Sequence, residues 1–312
     1  MKVKLECPYD FMDQNIIKDL NLSNDPECLI VNPGVDRFLD KEYFSQFKNL
    51  KVVGTPSTGV NHMDTDYLDK NNIKYFCLLD DREGLESITA SAEFTWLHIM
   101  NAFRKFSTSI EHVQSWREPS NEAYLRSNEL HDKTLVIIGY GRIGKKIYNY
   151  ASAFGMNVRW YDPYIDSEFF DIKLQEERIN SLDELVKINP DIISINCYLT
   201  PETTSMVDKK FLKGLKNNLI VVNTSRGEVV NENDIAELIK NKDIYYSCDV
   251  LCNEQNIDKL KKITFDKNGE FKKTLFQMNL AHDNLIITPH VAGCTIESQE
   301  KALKTTLKLC MK

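Results

Sequence analysis

Short apolar runs alternate with amphipathic stretches along almost the whole chain. In the first hundred residues, apolar or β-branched runs predict strands at 2–6, 27–32, 51–54 and 74–77. Apolar residues at helical spacing predict helices at 12–20, 41–47 and 64–70. This βα alternation implies a parallel sheet between helix layers. A longer helix at 87–105, with Ile88, Ala92, Trp96 and Ile99 on one face, breaks the rhythm and reads as a connector between domains. Beside that stripe sits Glu93, read equally as a surface or capping acid and as a residue of the domain junction. Residues 106–130 are polar and lack a period, so irregular structure is expected there. The alternation then resumes, with strands at 134–138, 157–161, 191–196, 219–223, 244–250 and 285–288. Helices are predicted at 145–154, 182–188, 211–215 and 232–240. A lysine-rich stretch at 255–284 has no clear period, and Leu303, Leu307 and Cys310 mark a terminal helix beginning near Ile296.

At 312 residues there is room for two domains with ample core. An apolar share of 42% and a charged share of 27% are those of an ordinary globular protein. A net charge of −7 argues against general affinity for nucleic acid or anionic membrane. No signal peptide or membrane-spanning run is visible. The eight cysteines form no CxxC pair, so reduced, buried thiols of a cytoplasmic protein are expected. Cys248 and Cys252 are four apart but lack a second Cys or His pair, so no metal is expected.

One stretch carries specific chemistry. The apolar run Thr134–Ile138 reads as a strand buried on both faces, and Gly139, Gly141 and Gly144 follow it in the spacing G-x-G-x-x-G. In that spacing the first glycine permits a tight turn, the second lets a pyrophosphate approach the backbone, and the third lets a helix pack on the strand. The helix start then offers free N–H groups and partial positive charge. Asp162 ends the next strand, where a carboxylate accepts from ribose hydroxyls. The alternatives are a Gly-rich turn that binds nothing and a P-loop. The latter needs a Ser or Thr where this chain has Lys146.

Other strand ends carry polar groups. Thr224, Ser225 and Arg226 follow one strand, Asp249 and then Glu254 the next, and His290 the last. Carboxyl ends of parallel strands converge on one crevice, so Arg226, Glu254 and His290 are expected to meet near the nicotinamide. Arginine offers a planar fork to a carboxylate, histidine passes a proton near neutrality, and a glutamate beside it favours the imidazolium. Taken singly, an arginine or a glutamate after a strand is more often a surface charge; the trio on successive strand ends beside a dinucleotide loop is not so easily dismissed. The turn 55–62 in the first domain also follows a strand, and its small residues leave N–H groups for an anion.

These blocks together resemble the D-isomer-specific 2-hydroxyacid dehydrogenases, a family that includes phosphoglycerate, glycerate and D-lactate dehydrogenases. The matching segments are ELHDKTLVIIGYGRIGKK, WYDPY, PDIISINCYLTPETTSMVD, NTSRGEVVNENDI, SCDVLCNE and ITPHVAGCT, in the family's order over about residues 50–295. The resemblance implies an α/β chain with two Rossmann-like, doubly wound parallel-sheet domains and an active-site cleft between them. A discontinuous substrate domain, 1–100 completed by 292–312, would accompany an NAD-binding domain at 101–291.

It implies His290 as general acid/base, Glu254 as its partner and Arg226 as the carboxylate clamp. It places NAD against Gly139, Gly141, Arg142, Ile143, Gly144, Asp162, Cys197, Tyr198, Thr203, Thr224, Ser225, Arg226, Asp249, His290, Ala292 and Gly293. It places the substrate, a small 2-hydroxy or 2-keto acid, against Thr58, Gly59, Val60, Arg226 and His290. A cytoplasmic homodimer is the family's common state.

Tyr198 stands where the family often has a proline on the adenosine side, and the segment between Glu254 and His290 is longer than the family's usual one. The short stretch after His290 leaves an appended regulatory domain unexpected. Two rival functions share the scaffold. One is a dinucleotide-sensing co-repressor, which keeps the same trio. The other is a phosphite or formate oxidiser; the family's formate enzymes lack the acid that Glu254 supplies.

Overall fold

The computed structural model describes residues 1–32, 34, 38–165, 171–254, 261, 264–265, 271–272, 274–278 and 282–312, so most of the lysine-rich 255–284 stretch lies outside the described residues. The chain divides into two compact units. One comprises Met1–Ala90 with Gly293–Lys312, and the other Ser91–Glu254 with the described residues between 261 and 292. The division falls ten residues before the expected 100/101 boundary, at Ala90/Ser91. The reason is packing: Ala92, Ile99, Ala102 and Phe103 of the Ala90–Arg104 helix share a core cluster with Leu135 and Ile137.

The first unit is built on strands β1 (Lys2–Leu5), β2 (Asn21–Leu22), β3 (Cys28–Ile30), β4 (Val52–Gly54) and β5 (Lys74–Phe76), all parallel, in the order β2-β1-β3-β4-β5. Strand side chains alternate between faces. Leu29 and Val53 therefore join one core with Phe44, Met63 and Leu68, while Cys28, Ile30 and Val52 join another with Leu303, Leu307 and Cys310. The terminal helix Ile296–Cys310, capped by Thr295, thus covers one face of a sheet built from strands between Lys2 and Phe76. The helix expected at 12–20 is instead a single 3-10 turn, Gln14–Ile16, capped by Asp13.

The second unit is a six-stranded parallel sheet. Its strands are β6 (Thr134–Ile138), β7 (Asn157–Tyr161), β8 (Ile192–Ile195), β9 (Leu219–Asn223), β10 (Ile244–Cys248) and β13 (Leu285–Ile287), in the order β13-β10-β9-β8-β6-β7. A short antiparallel pair, β11 (Thr264–Phe265) with β12 (Phe271–Lys272), lies outside it. Alternation again feeds two cores, with Leu135, Ile137 and Trp160 on one side and Val136, Ile138 and Tyr246 on the other. Strand order reverses at β6, since β7 lies on one side and β8 on the other. Ligands bind outside the strand ends at such a switch point.

The region expected to be irregular, 106–130, contains the helices Phe106–Glu111 and Pro119–Leu125. They bury no residue, so no apolar stripe marks them in the sequence. Not every cysteine is buried either: all eight are free, but Cys294 is exposed and Cys77, Cys197 and Cys252 are only partly covered.

Candidate active site

At the switch point the glycine loop leaves β6 against the end of β8. Gly139 has φ +92, and a Cβ there would lie 2.7 Å from the Asn196 carbonyl carbon and the Cys197 nitrogen. A Cβ on Gly144 would lie 2.2 Å from the Gly139 carbonyl oxygen, so that glycine serves helix-on-strand packing. Gly141 differs, because a Cβ there would meet nothing within 4 Å. The protein itself has no use for that missing side chain, so the open position fits a ligand's close approach.

The helix Arg142–Ala153 begins three residues earlier than expected, with Gly141 as its cap, which places Arg142 and Ile143 in its first turn. Asp162 accepts from Tyr140 N–H through Oδ2 at 2.9 Å and from Tyr164 N–H through Oδ1 at 3.0 Å. It thereby ties the loop to the end of β7. Beneath the loop, Tyr140 stacks on the fully buried Trp160 with ring centroids 4.3 Å apart. A buried Asn196 Oδ1 at the end of β8 has no protein donor, a further sign of an acceptor left for a bound group. This donor and acceptor set fits a dinucleotide.

After β8, the Cys197 thiol is pushed up to about 11 by burial and stays neutral. Tyr198 is exposed, and Thr203 closes its own loop, its hydroxyl donating to the Tyr198 carbonyl at 2.7 Å.

After β9, the buried Asn223 shapes the turn that follows. Its Oδ1 accepts from Ser225 N–H at 3.0 Å, and its Nδ2 donates to the Arg226 carbonyl at 2.9 Å. Thr224 meets Thr95 of the Ala90–Arg104 helix, hydroxyl to hydroxyl, at 2.6 Å. The half-buried Arg226 donates Nη1–H to the Ser225 carbonyl at 2.6 Å, which sets the direction of its guanidinium. Gly227 is the hinge of the arrangement: a Cβ there would lie 2.1 Å from the Leu251 carbonyl carbon and 2.3 Å from Cys252 N. The two backbones touch, so the Arg226 turn and the Glu254 loop are held together.

Asp249, only 1% exposed at the end of β10, accepts from Thr288 Oγ1–H and from Val291 N–H at 3.0 Å through Oδ1. Its Oδ2 accepts from Ala292 N–H at 2.7 Å. These bonds flank His290, whose φ is +54, in the left-handed region that residues with a Cβ avoid. His290 Nδ1 lies 2.6 Å from Glu254 Oε1, while Glu254 Oε2 accepts from Leu251 N–H at 3.2 Å. Hydrogen bonding to Glu254 raises the His290 pKa above its ordinary value, while burial and the Arg226 charge oppose the rise.

Arg226, Glu254 and His290 thus lie on adjoining loops at the carboxyl ends of β9, β10 and β13. In the first unit, the expected turn is braced from within. Thr55 Oγ1 contacts His62 Nε2 at 3.1 Å and Ser57 Oγ at 3.0 Å, and Ser57 donates to the Gly59 carbonyl at 2.7 Å beside Thr58 and Val60. Gly227 and Asp249 as organisers escape a reading of the sequence, because their partners are remote. Thr95 and His98 escape it too, although polar residues in mid-helix beside an apolar stripe are a usable signal.

The profile "D-isomer specific 2-hydroxyacid dehydrogenase, NAD binding domain" matches residues 96–292, and the catalytic-domain profile of the same group matches residues 9–79. The chain is 28% identical over 278 residues to D-3-phosphoglycerate dehydrogenase of Methanocaldococcus jannaschii, covering 89% of this chain and 48% of that protein. It is 27% identical over 266 residues to glyoxylate reductase of Thermofilum pendens, covering 84% of this chain and 71% of that one. The D-lactate dehydrogenase of Aquifex aeolicus, solved with NAD and lactic acid, shares 27% identity and a TM-score of 0.75 over 99% of this chain and 94% of that one. The chain spans about half the length of the phosphoglycerate dehydrogenases it matches.

Proposed function

Since this chain belongs to the D-isomer-specific 2-hydroxyacid dehydrogenase family, we propose that it interconverts a small D-2-hydroxy acid and its 2-keto acid with NAD. The observation that carries the reading is the 2.6 Å contact between His290 Nδ1 and Glu254 Oε1, beside the Arg226 turn. When bound, NAD supplies the hydride acceptor or donor at its nicotinamide. The chain supplies the rest. Glu254 fixes the Nδ1–H tautomer, which leaves Nε2 of His290 to hold or take the proton at the C2 oxygen. Arg226 presents its fork to the carboxylate, and the Thr58, Gly59 and Val60 backbone of the first unit is proposed as an anion-binding turn for the substrate. Reduction needs the imidazolium, and oxidation needs the neutral ring.

We assign the Met1–Ala90 and Gly293–Lys312 unit to substrate binding and the Ser91–Ala292 unit to NAD. Of the residues expected to touch NAD, Thr203 has its hydroxyl and Asp249 both its oxygens engaged within the protein, so we assign them to shaping loops. A formate-type reaction releases no hydroxyl proton and gives the His290–Glu254 pair nothing to do, which disfavours the formate form of that rival.

Among the described residues no helix is long and apolar enough to cross a membrane. We extend the proposal to a cytoplasmic homodimer joined through the exposed Phe106, Ile110, Val113 and Trp116 of the NAD unit. Light scattering should then give twice the 36.1 kDa chain mass, and a monomer would overturn the extension. The activity test is a panel of 2-keto acids with NADH, followed by loss of absorbance. Turnover of at least one acid, abolished in Arg226→Ala, is expected. Tight NADH binding with no turnover of any acid would favour a dinucleotide sensor.

A further inference from the structure

We propose that His98 is a positioning residue for His290, acting through Thr288 and Asp249, and that it works as the Nε2–H tautomer. The proposal rests on the acid–base role given to His290 above. His98 sits in the middle of the Ala90–Arg104 helix, is 2% exposed, and packs edge-on against Phe94. Both ring nitrogens are engaged: Nδ1 lies 2.7 Å from Ser247 Oγ and Nε2 lies 3.0 Å from Thr288 Oγ1. Ser247 is fully buried in β10, and Thr288 is the first residue after β13.

The direction of each bond follows from Asp249. An ionised carboxylate only accepts, so the Thr288 hydroxyl gives its single proton to Oδ1. The Thr288 oxygen then accepts, and His98 Nε2 must supply the N–H. Nδ1 is left to accept from the Ser247 hydroxyl. This pattern needs a neutral ring, and burial holds the His98 pKa below its ordinary value against the opposing pull of Asp249.

Every donor at the end of this chain converges on Asp249: the Thr288 hydroxyl and the N–H groups of Val291 and Ala292. Those three residues bracket His290 and hold its left-handed backbone. Without the His98 N–H, the Thr288 hydroxyl is free to turn to the Cys248 carbonyl, 3.5 Å away. Asp249 then loses one of three grips, and the His290 ring loses its alignment with Glu254. The charged groups that set the His290 titration are Glu254, Arg226 and Asp249; His98 adds no charge but fixes where they stand.

The experiment compares His98→Gln with His98→Leu in the full chain. A Gln amide can donate to Thr288 and accept from Ser247; Leu can do neither. The readout is the NMR titration of the His290 Cε1–H without substrate. The Leu variant should move the midpoint toward acid and the Gln variant should keep it near wild type. The kcat/KM of keto-acid reduction should fall about tenfold in the Leu variant only. A wild-type midpoint in His98→Leu, or equal displacement by Leu and Gln, overturns the proposal, because packing alone would then explain the site. Should His98→Leu fail to fold, Thr288→Val removes the next hydroxyl and must give the same acid shift; an unmoved midpoint there is equally fatal. The titration requires no turnover, so an inactive keto-acid panel would strike the proposed function and leave this test standing.

Discussion

Glu254 and His290 follow different strands, so the protonation of the imidazole is a property of two loops held in register. Glu254 stabilises the imidazolium and raises the His290 pKa. The rate of reduction, which needs the protonated ring, falls as pH rises through that pKa, and the rate of oxidation falls as pH drops through it. Glu254→Gln keeps the shape and removes the charge, so the pKa moves down and both limbs shift toward acid. Reduction near neutral pH should suffer more than oxidation. Paired kcat/KM profiles for the two directions check this, and superimposable wild-type and mutant profiles would show the two residues to be uncoupled. The residue types and their order were legible in the sequence, since parallel strands deliver their carboxyl ends to one side. The positive φ of His290 and the three bonds to Asp249 were not legible, because they depend on partners some forty positions apart.

Among elements, the strands were the most readable. Thr134–Ile138, Asn157–Tyr161 and Leu219–Asn223 emerge with the expected ends, the first and last because a strand buried on both faces is a nearly continuous apolar run, and the edge strand Asn157–Tyr161 because its buried Val158 and Trp160 alternate with more exposed residues. Short helices on the surface carry no such mark, which is why Phe106–Glu111 and Pro119–Leu125 did not stand out. Two loops offer tests at this scale. Asp162 sits at the end of β7 with its oxygens on the Tyr140 and Tyr164 amides, where it would repel a 2′-phosphate. Wild type should prefer NADH to NADPH, and Asp162→Ala should narrow the ratio of kcat/KM values by about tenfold or more, given a like-charge contact of a few kcal/mol. A wild-type preference for NADPH would sink the assignment. Gly227 is the second case. With a Cβ only 2.1 Å from the Leu251 carbonyl carbon, Gly227→Ala must push the 251–254 loop away. A loss of about 1–3 kcal/mol of stability is expected from such overpacking, together with loss of the raised His290 pKa. Thermal unfolding and the same NMR titration measure both, and a variant unchanged in both would show that the contact is not what sets the loop.

At the scale of the whole molecule, both units are parallel sheets with two buried faces, and that much was visible in the βα rhythm. The units divide at Ala90/Ser91, ten residues before the boundary the sequence suggests, because the long helix reads as a connector until its buried face is known. Global stability should carry the imprint of one carboxyl near the site. Glu232 accepts from Cys252 N–H at 2.7 Å, and burial pushes its pKa up to about 7, with Cys252 opposing and the charges of Glu228 and Glu254 adding to the rise. A raised folded-state pKa means that the folded chain holds a proton the unfolded chain has released. That contribution to stability is complete below the ordinary carboxyl pKa and is lost as pH rises through about 7. Glu232→Gln should therefore melt higher than wild type at about pH 8.5 and gain little at about pH 5. An equal difference in melting temperature at both pH values would show that Glu232 titrates normally. The stack of Tyr140 on Trp160 has one more consequence. Of the three tryptophans, Trp116 is 76% exposed and Trp160 is fully buried beneath the glycine loop. A collisional quencher added to the solution silences the first and spares the second. Once the partly buried Trp96 is replaced by Phe, the remaining blue-shifted emission reports on the pyrophosphate loop, giving the chain an optical gauge of dinucleotide binding that works before any substrate is known.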